Sequence, residues 1–100
     1  MNRFRLSREA EADLDEIWQY IAQDNLDAAE RVLEELENAF RSLARMPHMG
    51  HRRTDVTKGD VLFWDVRPYV IVYQPEARPL DIVAVLHGRR NIKKVLRERA

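Results

Sequence analysis

Apolar residues in the N-terminal half recur at helical spacing, whereas those in the C-terminal half gather into short runs rich in β-branched and aromatic residues. In Arg3–Leu6 basic and apolar residues alternate, which predicts a short strand with Phe4 and Leu6 inward. Ser7 reads as an N-cap, because its hydroxyl can accept from the free amides of a first turn that also carries Glu9 and Glu11. Ala10, Leu14, Ile17, Trp18 and Ile21 then fall within about 100° of arc, the stripe of an amphipathic helix. Asp24 and Asn25 bond their own backbone and interrupt it. A second stripe, Ala29, Val32, Leu33, Leu36, Ala39, Phe40 and Leu43, is wider at about 140°, enough to meet both the first helix and a sheet. Pro47 ends it, lacking an amide proton and disfavouring helix in Met46. Residues 7–45 are thus a predicted helical hairpin.

Residues 47–60, PHMGHRRTDVTKGD, read as an exposed loop. Three strands are expected after it, at 61–66, 69–74 and 80–86, separated by Arg67-Pro68 and by PEARP. The connections are too short for parallel crossovers, so these strands form an antiparallel meander. YVIVY and IVAVL lack clean alternation, which implies cover on both faces. From Arg90 to Arg99, Ile92, Val95 and Leu96 fall on one side and cations on the other, predicting a short C-terminal helix. The expected fold is α+β: a helical hairpin packed on a small twisted antiparallel sheet, as one domain over residues 1–100.

Composition agrees, with 45% hydrophobic and 34% charged residues, enough apolar surface for a globule. The absence of cysteine removes disulfides, thiolate metal sites and thiol nucleophiles together. No stretch has the pattern of a signal peptide or a bilayer span, so a cytoplasmic location is expected. The zero net charge conceals an asymmetry. Residues 1–46 hold 6 Lys/Arg against 11 Asp/Glu, net −5, and residues 47–100 hold 11 against 6, net +5. One surface can therefore attract an anionic partner.

Candidate chemistry concentrates in VLHGRRNIKKVL, residues 85–96. A strand that ends in His87, a glycine that lets the chain turn, and two arginines present charge on a rigid support. With Arg67, the set suits two uses besides a merely solvated helix start. For RNA cleavage, His87 takes a 2′-hydroxyl proton while Arg67 and Arg89 neutralise developing phosphorane charge. For binding, His87, Arg89, Arg90 and Arg67 contact a phosphate backbone or an acidic protein. His48 and His51, with His87 as a third nitrogen, lack supporting carboxylates, so no metal is assigned and no cofactor is expected. Trp18 and Phe40 are assigned to the core; Phe63 and Trp64 point to opposite faces of a strand, and Tyr69 and Tyr73 share one.

The opening LSREAEADLDEIWQYIA, the loop Pro47–Gly50, and the series FWDV, YVIVYQP and RPLDIVAVLHGRRNI together resemble toxins of the ParE/RelE superfamily of type II toxin–antitoxin systems, most closely its ParE branch. The resemblance runs from Phe4 to about Leu96. It implies a helical hairpin on an antiparallel sheet, a cognate antitoxin that wraps the toxin, and DNA gyrase inhibited by binding. It also leaves a RelE-like ribosome-dependent mRNA endonuclease and an inert antitoxin-binding module as alternatives. Under the ParE expectation His87, Arg89, Arg90 and Arg67 contact the target, and Tyr20, Leu26 and Leu33 at the stripe margins contact the antitoxin. Three departures stand out. Leu62 sits where the ParE pattern commonly has an arginine, with Arg67 expected to occupy nearby space. Arg90-Asn91 replaces the more usual Arg-Asp, and no aromatic residue follows Tyr73.

Overall fold

The computed structural model describes residues 3–99. In chain order they form β1 (Phe4–Leu6), α1 (Arg8–Ala22), α2 (Leu26–Arg45), a 3₁₀ turn at Pro47–Met49, β2 (Leu62–Val66), β3 (Tyr69–Gln74), β4 (Leu80–His87) and α3 (Ile92–Arg99). Both hairpin helices start where side-chain oxygens can satisfy free amides. The Ser7 hydroxyl accepts from the Ala10 amide at 3.0 Å and the Asn25 Oδ1 from the Ala28 amide at 3.0 Å. The 47–60 stretch is less of a loop than its sequence suggested, because it also forms a bridge between His51 and Phe63.

The sheet order is β1-β4-β3-β2. The last three strands are the expected antiparallel meander, with Trp64 opposite Ile71 and Ile71 opposite Val85. β1 makes the sheet mixed. It runs parallel to β4, Phe4 beside Leu80 and Leu6 beside Ile82, a geometry that the whole intervening chain provides as a crossover. At three residues β1 covers only the first part of the β4 edge.

Two clusters of side chains sandwich the sheet. The hairpin buries Leu36, Phe40 and Leu43 against Leu62, Ile71, Tyr73, Ile82 and Val85. The opposite face packs Phe63, Val70, Val72, Ala84 and Leu86 against Ile92 and Val95 of α3. Truncating a fully buried ring such as Phe40 to alanine costs roughly 3–5 kcal/mol. Trp18 departs from its assignment to the core. It is only half-buried and lines an open groove, because α1 rests on the sheet through Ala10, Leu14, Ile17 and Ile21 and leaves the Trp18 side uncovered.

Tyr73 ties the sheet to the chain leaving α2. Its hydroxyl donates to the Pro47 carbonyl at 2.7 Å and accepts from the Gly50 amide at 2.9 Å. Glycine is required at 50 by this close approach, since a Cβ there would collide with the Tyr73 hydroxyl and lie 2.8 Å from the Phe63 carbonyl oxygen.

Candidate functional site

β4 delivers His87 opposite Tyr69, the first residue of β3. The Gly88 amide donates to the Pro68 carbonyl at 2.9 Å, which brings the β2–β3 turn and Arg67 to the same end of the sheet. The His87 ring meets the Tyr69 ring edge-on, 5.7 Å between centroids. Its Nδ1 accepts from the Arg89 amide at 3.0 Å, and its carbonyl accepts from the Arg90 amide at 3.0 Å. Asn91 then starts α3 by accepting from the Lys94 amide at 3.1 Å. The turn is thus held by its own backbone, and the side chains of Arg67, Arg89 and Arg90 remain exposed. Among the described residues none of the three makes an ion pair.

The four residues anticipated at the site do meet at one sheet end, although they do not form one cluster. His87 lies on the hairpin side, where it lines a cleft of about 360 Å³ with Arg90, Tyr20, Ile17, Tyr69 and Glu16. Burial, and secondarily Tyr20, push the Tyr69 phenol above its usual value. The single acceptor nitrogen of a neutral imidazole is here already engaged. With Nδ1 accepting from Arg89, the neutral ring carries its proton on Nε2 and presents a donor. That arrangement suits an anionic acceptor and leaves no free base nitrogen for proton abstraction.

Beside the cleft lies an ion pair that sequence reasoning missed. The Asp13 carboxylate, 5% exposed, accepts from both terminal guanidinium nitrogens of Arg99 at 2.7 Å and from the Val85 amide at 2.9 Å. This bidentate pairing lifts the Arg99 pKa above its ordinary value. Ser7 works with it: its amide donates to the Ile82 carbonyl and its hydroxyl to the Val83 carbonyl. Past the end of β1, then, side chains from α1 and α3 take the place of a neighbouring strand. A signal existed in the sequence. Asp13 flanks the apolar stripe of α1, and Arg99 falls on the buried side of α3, one heptad after Ile92.

A second concavity of about 450 Å³ runs between β1, α1 and α2, floored by Phe4, Leu6, Leu14, Trp18, Leu33 and Phe40 and rimmed by Glu11, Asp15 and Glu37. Of the three anticipated antitoxin contacts, Leu33 lines this groove, Tyr20 stands 75% exposed at the His87 cleft, and Leu26 is exposed at the first residue of α2. Tyr20 thus lies at a different concavity from Leu33, whereas Leu26 is on the same side of α2 as Leu33, two turns earlier. Leu62 is buried in the hairpin-side core at the far end of β2 from Arg67. Five residue steps at about 3.3 Å each separate the two positions, so Arg67 does not fill the space of an arginine at 62. The histidines are likewise dispersed, His48 pairing with Glu76 at 3.0 Å beyond the opposite end of β3 from His87.

The family model for the ParE toxin of type II toxin–antitoxin system, parDE, matches residues 4–92. The chain belongs to the ParE toxin family. Toxin ParE3 of Caulobacter vibrioides is 28% identical over 93 residues, 92% of each chain. Putative toxin Y4kP of Sinorhizobium fredii is 33% identical over 94 residues, 94% of this chain and 96% of that one. The solved chromosomal ParDE system from P. aeruginosa contains a chain with the same fold, at a TM-score of 0.69 and 18% identity over 87% of this chain and 96% of that chain. The observed hairpin, meander and short terminal helix are therefore a ParE-like α+β fold. No helix among the described residues is long and apolar enough to cross a membrane.

Proposed function

We propose that the chain acts as a ParE toxin by binding and inhibiting DNA gyrase, and that a cognate antitoxin neutralises it. The observation that carries the reading is the strand end at which Arg67, Arg89 and Arg90 stand exposed without an internal acid while His87 offers a donor. Cations left unpaired on a fixed turn favour an anionic partner at little ordering cost. The tautomer of His87 supports binding over RNA cleavage. The groove floored by Trp18 and Leu33 suits the antitoxin, because an amphipathic segment can lay apolar side chains into it and cations on its Glu11, Asp15 and Glu37 rim.

The test is a supercoiling assay with purified gyrase, beside a translation reaction scored for cut mRNA. The expected result is inhibition of supercoiling by the wild-type chain and its loss in Arg89→Glu/Arg90→Glu, a variant that still binds antitoxin. Intact supercoiling together with cut mRNA would replace this reading by the endonuclease. Full inhibition by the double variant would remove the assigned contact residues, and harmless accumulation without antitoxin would leave an inert binding module.

A further inference from the structure

We propose that the outer face of α3 contacts the backbone of duplex DNA, through Lys93, Lys94 and Arg97 with Arg89 at the helix start; placing that duplex within the gyrase complex rests on the proposed function. At 3.6 residues per turn the three helical cations span about 100° of arc. Ile92 and Val95 are buried on the other side, and Arg99 there is engaged by Asp13. All four outward cations are exposed, and among the described residues none has an ion-pair partner.

This charge arrangement works against the helix that carries it. Lys93 and Lys94 occupy the first turn, where the backbone dipole is positive, and no acid accompanies them there. Lys93 and Arg97 repel as a like-charged pair four residues apart. A face selected only for solubility or stability has no need of either conflict, and an anionic ligand relieves both. The helix is nevertheless fixed, by its apolar side on the sheet and by Arg99 on Asp13. Lys93 and Arg97 also line a shallow trough with Val56, Thr57 and Leu96, apolar cover for their methylene stems.

Three features select duplex nucleic acid. The outward face bears no exposed apolar residue, so it lacks the anchor around which a protein interface is built. No aromatic residue follows Tyr73, so this segment offers nothing for unpaired bases to stack on. Eight helical residues extend about 12 Å, along which duplex DNA presents about seven backbone charges. Three or four cations therefore each find a phosphate, and the contact carries no base sequence information.

Fluorescence anisotropy of a labelled duplex of arbitrary sequence, titrated with the purified chain over a salt series without gyrase, tests the proposal. The expected slope of log K against log salt is about −3, at roughly −0.9 per phosphate contacted. Lys93→Gln/Lys94→Gln/Arg97→Gln should lower affinity at least tenfold and flatten the slope, with an unchanged circular dichroism spectrum because glutamine is a good helix former. Lack of binding at low salt overturns the proposal. So does an unchanged slope in the triple variant, or equal competition by polyglutamate, which would mark the face as an acidic-protein site. Because gyrase is absent, duplex binding by a chain that fails to inhibit supercoiling would sink the proposed function and leave this contact standing.

Discussion

The two faces of the sheet are both covered by helices, yet they present opposite chemistry. On the hairpin side a broad core leaves an apolar groove with an acidic rim, Trp18 and Leu33 above Glu11, Asp15 and Glu37. On the α3 side the apolar residues are used up against Phe63, Val72 and Leu86, and what remains outside is mostly cationic, with Glu98 the one acid of the helix. One sheet thus separates an apolar groove from a cationic helix face, while His87 and Arg90 line a further cleft at its end on the hairpin side. The charge asymmetry of the two chain halves is this spatial division, written along the sequence. The Asp13–Arg99 pair joins the two sides around the β4 edge, and breaking it tests whether they depend on each other.

The largest effect is expected there. Arg99→Ala leaves a buried carboxylate without its cation and should cost roughly 3–5 kcal/mol in urea denaturation, whereas Asp13→Leu/Arg99→Leu should recover part of the loss. Equal losses in the single and double variants would show that the cost does not come from the uncompensated carboxylate. Trp18→Ala comes next. It should weaken antitoxin binding by about 2 kcal/mol or more, measured by calorimetry, and leave gyrase inhibition unchanged, the reverse of Arg89→Glu/Arg90→Glu. If either variant lowers both activities together, the faces are not independent.

Tyr73→Phe should give the smallest change, about 1–3 kcal/mol, because it strands the Gly50 amide and the Pro47 carbonyl. It also alters the response to pH. Burial raises the Tyr73 phenol above its usual 10.0, so the folded state keeps a proton that the unfolded chain releases. Its stabilising contribution is complete below pH 10.0 and is lost as pH climbs through the higher folded value. Thermal melts above pH 10 should therefore fall less steeply in the variant, with the residual slope due to Tyr69, whose phenol is raised as well.

The helices and the meander were legible because each buries a regular stripe, and their starts because Ser7 and Asn25 can satisfy amides. The partner of β1 was not, since three residues specify alternation and say nothing of which edge they join. That His87, Arg67, Arg89 and Arg90 lie at one end of the sheet was legible from the strand and turn pattern, but the hairpin-side placement of His87 was not. It depends on an irregularity in the β3–β4 register near Val72 and Tyr73 and on how Gly88 docks against Pro68. Trp18 was misplaced for a related reason. A helical stripe records which side is apolar, and the packing partner decides how much of that side is covered.

The Val85 amide holds a final consequence. It is bonded to a carboxylate of α1 that is itself steadied by α3, where an adjoining strand would normally serve. Its exchange with solvent deuterium therefore reports a conjunction: the proton is shielded only while both helices are seated. Followed during complex formation, that single resonance would distinguish a partner that settles onto the closed molecule from one that first pries a helix away.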